Sequence, residues 1–214
     1  MKNIFTFYIL LLLGFFLNAQ NLKSPDNNLD LNFSIDEKGR AFYSLNFHDK
    51  PVILNSGLGF MLKDNVEWMK IDTLDMMNNF KILNVTFDSV DEYWNPVWGE
   101  ESEIRNNYNE MFVELQQIES ERKVNIRFRL FDDSLGFRYE FPLQEKLGSF
   151  IIIDEKTEFA MAGDHTAMWI PGDYDTQEYN YTTSKLSEIE QKSIEFREEN
   201  VSMYRFSNLS LIHI

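Results

Sequence analysis

From Leu29 onward, apolar and polar residues change places at nearly every step, the period-two pattern of strands with one face on a core. LDLNFSID sets Leu29, Leu31, Phe33 and Ile35 against Asp30, Asn32 and Ser34. Glu37-Lys38-Gly39-Arg40 reads as a turn, and AFYSLNFHD alternates again through Tyr43, Leu45 and Phe47, so the two runs predict a hairpin. Apolar runs at residues 51–54, 59–63, 80–89 and 104–117 predict further strands. In the last of these, Tyr108, Phe112 and Val113 stand among polar residues without clean alternation, which leaves its register open. The clearest stretch is KVNIRFRLFDDSLGFRYEFP: Val124, Ile126, Phe128 and Leu130 point one way, Asn125, Arg127 and Arg129 the other. Asp132-Asp133-Ser134-Leu135-Gly136 turns the chain, and Phe137, Tyr139 and Phe141 resume the apolar face. SFIIIDE is apolar without interruption and reads as a buried central strand. No helical period precedes Leu186. Short strands broken by Gly, Asn and Asp predict an all-β antiparallel sandwich.

Both ends depart from this pattern. MKNIFTFYILLLLGFFLNA has one early positive charge, Lys2, then an apolar run and a small residue, Ala19. That layout predicts a secretory signal peptide over residues 1–19, and the apolar run is short for a membrane span of about 20 residues. Residues 184–206, rich in Glu and Lys, read as a short helix or an extended linker. The last six residues, LSLIHI, are what the transposon-end adapter CTGTCTCTTATACACATC encodes, so residues 208–214 read as a translated sequencing adapter and residues 20–207 as the domain itself.

Composition narrows the class. Cysteine is absent, so an exported domain must rely on its core rather than on disulfides. Nineteen Phe, nine Tyr and four Trp supply that core. The formal charge of −15 becomes −16 when Lys2 leaves with the signal peptide. So acidic a chain is a poor partner for nucleic acid or anionic lipid, while neutral ligands and divalent cations remain open.

Candidate chemistry is sparse. WNPVWGEESEIRNNYNE places Trp94 and Trp98 about a proline, and either the rings stack on sugar or they anchor a loop with their N–H groups satisfied; the second reading is favoured. AMAGDHTAMWIPGDYDTQEY, residues 160–179, is a long loop-like stretch of the sort that carries binding residues. His165 within it and His48 read as structural, His213 falls in the adapter-like tail, and no zinc pattern occurs. Asp173, Asp175 and Glu178 are hard oxygen donors that suit Ca²⁺, although their spacing is not that of an EF-hand loop and by itself suggests a solvated acidic turn. Glycoside hydrolysis needs two carboxyls facing a sugar, and nothing local shows such a pair. No GxSxG, P-loop or Rossmann glycine pattern is present.

SPDNNLDLNFSIDEKGRAFYSL, DEYWNPVWGEESEIRNNYNE, RFRLFDDSLGFRYEFP and GDHTAMWIPGDYDTQEYNYTTSKLSEI, in this order, resemble the amino-terminal domain of glycoside hydrolase family 97 across residues 24–189. The resemblance implies an antiparallel β-super-sandwich of the galactose-mutarotase-like type, truncated before a (β/α)₈ catalytic barrel and a small carboxy-terminal β domain. It implies an exported, periplasmic, exo-acting α-glucosidase or α-galactosidase as parent, acting on α-linked oligosaccharides. The catalytic carboxylates would lie on the barrel and not in this chain, so retention or inversion cannot be read from it. The glutamate of DTQEY, Glu178, would lend one oxygen to an active-site Ca²⁺. Asp173 and Asp175 would then be turn formers or outer partners of the site, and Tyr174 and Tyr179 would pack sandwich against barrel. The competing expectation is a free-standing carbohydrate-binding or interaction sandwich without catalysis.

Overall fold

The computed structural model describes residues 19–64, 73–170 and 180–193. Thirteen strands form among them: β1 (Gln20–Lys23), β2 (Leu29–Ile35), β3 (Ala41–Phe47), β4 (Lys50–Leu58), β5 (Phe60–Asp64), β6 (Thr73–Met76), β7 (Phe80–Trp94), β8 (Ile104–Gln117), β9 (Lys123–Leu130), β10 (Leu135–Glu140), β11 (Phe150–Glu155), β12 (Thr166–Trp169) and β13 (Thr182–Lys185). The all-β class is as the alternation predicts. The chain divides into two units, the larger holding most of β1–β11 and the smaller holding Val52–Leu54 with the described residues from Ala160 onward.

In the larger unit the strands form three sheets, ordered β1-β2-β3-β4, β10-β9-β8-β7 and β11-β5-β6. The first two face each other as a sandwich. The predicted hairpin pairs Leu31 with Leu45 and Phe33 with Tyr43, which puts the apolar phase of both strands on one face. Phe33 meets Phe128 of β9 at 5.8 Å between ring centroids, and Tyr43 meets Phe137 of β10 at 5.4 Å. All of Leu31, Phe33, Tyr43, Met111, Val113 and Phe128 are sealed from solvent, and full burial of such a side chain stabilises by about 1.5–3 kcal/mol. The Tyr43 hydroxyl donates to the Glu158 carbonyl at 2.8 Å, so the polar atom this ring carries into the core is satisfied. At the sandwich rim, the Asp26 amide donates to Asp132 Oδ1 and Asn109 Nδ2 donates to the Lys23 carbonyl, at 2.9 and 2.8 Å.

The register that the sequence leaves open in β8 has a specific cause. Met111, Val113 and Leu115 face the core, while Tyr108 and Phe112 lie on the opposite face. There they are roofed by guanidinium groups, Arg129 over Tyr108 at 4.4 Å and Arg127 over Phe112 at 4.3 Å. Apolar residues therefore occupy both phases, and periodicity blurs. β7 runs five residues beyond its expected end, to Trp94, paired along β8 with a bulge between Ile82 and Asn84.

β11 overturns an expectation. Its isoleucine run predicts a central strand, yet it lies at the edge of the three-stranded sheet, with Ile151, Ile152 and Ile153 each almost half exposed. Continuous apolar sequence reports that both faces want cover; it does not supply the neighbour.

In the smaller unit, Ile53 bridges Met161, and backbone bonds from Leu54 N to Ala160 O (2.7 Å) and from Ala162 N to Val52 O (3.0 Å) flank it. β12 and β13 form a two-stranded antiparallel ladder. The segment after β13 turns through a 3₁₀ element, Leu186–Glu188, into helical residues 189–193, so the described start of the acidic tail is helix rather than linker.

Candidate functional site

The stretch that carries DTQEY is held at its base by the β12–β13 ladder. β12 hides within what reads from sequence as a loop, because four residues are too few to establish a period. Thr166 pairs with Lys185, Ala167 with Ser184, Met168 with Thr183 and Trp169 with Thr182. Ala167 and Trp169 face inward and are sealed, packing with Ile189 and Leu186, whereas Met168 is exposed. Trp169 Nε1 donates to Ser184 Oγ at 3.0 Å, and that hydroxyl donates onward to the Lys185 carbonyl at 2.9 Å. The indole thus bolts one strand to the other at the last rung before the connection leaves.

The foot of the ladder is closed by Asp164. Its carboxylate accepts from the Ser187 amide and hydroxyl, both at 3.0 Å, and the bond from the Ser187 amide, followed by the hydroxyl bond, holds its pKa below the ordinary carboxylate value despite some desolvation. Lys185 Nζ donates to the Asp164 carbonyl at 3.1 Å. The His165 ring lies over Gly163, where an added Cβ would meet Nε2 at 3.3 Å, and the Leu186 amide donates to the His165 carbonyl. His165 is part of the stem, in keeping with its structural reading.

Between Trp169 and Thr182 the chain leaves and returns on one rung. Asp173, Asp175 and Glu178, with Tyr174 and Tyr179, belong to this connection and lie outside the described residues. All of the predicted signal peptide, residues 1–19, except Ala19 lies outside them too, as does the adapter-like tail, residues 208–214. As hard oxygen donors the three acidic residues fit Ca²⁺ in kind. Among the described residues no three His, Cys, Asp or Glu side chains converge to hold a metal. Ca²⁺ takes about six to eight oxygens, so one carboxylate at position 178 would not hold it alone.

Two other places were candidates for chemistry. A cavity of about 360 Å³ is lined in part by Arg40, Phe42, Gly57, Glu155 and Glu158. Its carboxylates are engaged within the fold: Glu158 accepts from the Gly57 amide at 2.8 Å and Glu155 from the Thr157 hydroxyl at 2.7 Å. On the outer face of β8–β10, Glu110 accepts from Arg127 and from Arg129 (2.8 Å), and Glu140 from Arg127 (2.7 Å) and Arg138 (2.8 Å). The Arg127 hydrogen bond, then that of Arg138, keeps the Glu140 carboxyl below the usual carboxylate range. This ladder was not anticipated as a unit, although Arg127 and Arg129 in the polar phase of β9 were its visible half. A pair of carboxylates clamped by guanidinium groups is a strut, unsuited to trading protons with a substrate.

Trp94 and Trp98 correct the favoured reading that they anchor a loop. Trp98 is 89% exposed, Val97 fully exposed and Trp94 about half exposed. β9 accompanies β8 only from Asn109 onward, so Val90–Trp94 and Ile104–Tyr108 project as a two-stranded arm with the tryptophans at its tip. The arm is stiffened by Arg105, which forms a bidentate pair with Asp91 at 2.7 and 2.8 Å, and by Asn95 Nδ2 donating to the Ser102 carbonyl at 2.7 Å.

These features define a two-layered antiparallel sandwich in the larger unit and, in the smaller one, a bolted hairpin from which the DTQEY-bearing connection leaves. Residues 22–207 match the family model described as Glycosyl-hydrolase 97 N-terminal, and the chain belongs to that family. It is 25% identical over 187 residues to a retaining alpha-galactosidase of Bacteroides thetaiotaomicron, a match covering 82% of this chain and 25% of that protein. Among solved structures, it is similar to a glycoside hydrolase family 97 enzyme of Pseudoalteromonas sp. strain K8 in complex with panose, at 35% identity and a TM-score of 0.68, covering 77% of this chain and 24% of that one. The same enzyme in complex with acarbose matches equally well. A beta-arabinopyranosidase, 22% identical with a TM-score of 0.66 over 76% of this chain and 26% of its own, shares the fold. The chain thus spans about a quarter of the length of these relatives.

Proposed function

We propose that this chain is the amino-terminal sandwich module of an exported, calcium-dependent, exo-acting α-glycosidase, and that Glu178 donates one carboxylate oxygen to a Ca²⁺ whose remaining protein ligands lie on a (β/α)₈ barrel beyond it. The observation that carries the reading is the bolted hairpin: the DTQEY-bearing connection starts and ends at the Trp169–Thr182 rung, and the Trp169 indole ties that rung to Ser184, the support a ligand-bearing connection needs. When bound, such an ion polarises water or sugar hydroxyls near the scissile bond. In this reading the chain's own part is to carry Glu178 on the connection rooted at the β12–β13 ladder, with Asp173 and Asp175 as turn formers or outer partners of the site. α-Glucoside is favoured over α-galactoside because the more similar relative was solved with panose, an α-linked glucose trisaccharide. No helix of the described residues is long and apolar enough to cross a membrane, and a periplasmic location rests on residues 1–19.

The test uses the parent and this chain side by side. In the parent, Glu178→Gln is expected to weaken Ca²⁺ binding and hydrolysis of nitrophenyl α-glucoside together, while this chain alone shows no turnover and no micromolar Ca²⁺ affinity by calorimetry. Unchanged activity of the parent in chelating buffer would refute the calcium role. The exposed Trp98 supports a second reading, a free-standing sugar-binding sandwich. Oligosaccharide binding by this chain alone, lost in Trp98→Ala, would favour it.

A further inference from the structure

The third sheet carries a discord between sequence and structure. Successive side chains of a strand point to opposite faces, so Ile151-Ile152-Ile153 makes both faces of β11 apolar. Strands apolar on both faces belong inside sheets that are covered above and below. In the order β11-β5-β6, however, β11 has no hydrogen-bonded strand on its outer side among the described residues, and its three isoleucines are 45, 49 and 49% exposed. Edge strands are ordinarily guarded by charge, proline or a bulge. Here the register shift falls between Ile152 and Asp154 and the charges begin at Asp154, which leaves the isoleucine half open. A second sheet edge repeats the theme. Phe87 of β7 shares a face with its sealed partner Met111, yet is 53% exposed.

We propose that β11 is an interior strand of the intact protein, its free edge paired with a strand from the segment that follows this chain in its parent. The inference rests on the reading of the chain as an amino-terminal module. Length points to that occupant. The chain matches an amino-terminal family and spans only about a quarter of its relatives, so most of a parent of that size lies on the carboxy-terminal side. A second copy is the poorer candidate, because it would set two chains of formal net charge −15 against each other.

Hydrogen exchange of the parent and of the 214-residue chain tests this. The amides of Phe150–Ile153 that point away from β5 are expected to exchange about 100-fold more slowly in the parent, a difference readily resolved by exchange under native conditions. Ile152→Lys should abolish that protection in the parent and leave the melting temperature of this chain unchanged; the milder Ile152→Thr keeps the comparison readable should the lysine variant of the parent not fold. A glycosidase-active parent whose β11 amides exchange as fast as in this chain overturns the proposal and leaves the functional reading standing. A parent without a barrel or activity defeats the functional reading instead, and protection at β11 still decides this one. Concentration-dependent protection in this chain, relieved by Ile152→Lys and without gain in the parent, overturns it in favour of a second copy.

Discussion

Trp169→Phe is the most direct probe of the stem. It keeps an aromatic ring at a fully sealed position and deletes the N–H that reaches Ser184 Oγ at 3.0 Å. The lost hydrogen bond costs about 1 kcal/mol. The smaller ring leaves roughly 40 Å³, which at about 24 cal/mol per Å³ adds about 1 kcal/mol more. Together these predict about 2 kcal/mol, or about 30-fold faster opening of the β12–β13 ladder. Ser184→Ala removes the same bond from the other side and should cost about 1–3 kcal/mol. Because the two changes delete one interaction, the double variant should fall short of their sum by about 1 kcal/mol. Native-state hydrogen exchange at Thr166–Trp169 and Thr182–Lys185 reads all three variants. Strict additivity, or less than a threefold change in exchange for Trp169→Phe, would refute the claim that the indole bolts the two strands together.

Three further outcomes follow from other parts of the fold. Gly39 sits at φ +69, and a Cβ there would lie 2.4 Å from the Phe80 nitrogen; Gly39→Ala should cost about 2 kcal/mol or more in urea unfolding, since the obstacle is backbone. Trp98→Ala should leave stability within about 0.5 kcal/mol, because an exposed tip residue supports no core; a larger loss in the same assay would restore the anchoring role. Glu140 has a folded-state pKa depressed below 4.5, so its contribution is present above the unfolded value and lost as pH falls through the folded one. Unfolding stability followed from pH 6 to 2 should therefore decline less steeply in Glu140→Gln, and an unchanged slope would count against the Arg127 clamp.

What could be read from sequence was what obeyed a single period. β2 and β3 bury one phase and leave the other partly open, and Phe128 and Leu130 of β9 continue the pattern, so the alternation of Leu31, Phe33, Tyr43 and Phe128 fixed their inward face before any pairing was known. Legibility failed where another group took over the job of covering apolar surface. Tyr108 and Phe112 face outward under Arg129 and Arg127, and no count of apolar residues anticipates a guanidinium roof. Trp94 and Trp98 resemble core residues by type and lie on an arm because β7 and β8 outrun β9, a matter of relative strand length. The candidate ligand was different again. Spacing alone made Asp173, Asp175 and Glu178 a solvated acidic turn, and only the resemblance singled out Glu178.

That asymmetry has a physical basis. A glycosidic bond is cleaved by two carboxyls that can exchange protons or attack across a substrate, and the described carboxylates nearest to qualifying are tied by the fold. Glu110 and Glu140 are held by three arginines, Glu158 by the Gly57 amide, and Asp164 by Ser187. Each tie stiffens the domain and at the same time withdraws the group from chemistry. If Glu178 is the ligand proposed above, the contribution of this domain is one of placement, and the rung where Trp169 meets Thr182 roots the connection that carries it. Changes in the β2–β3 and β9–β10 core should therefore act on stability, whereas changes at Trp169 and Ser184 should act on whatever the connection between them presents.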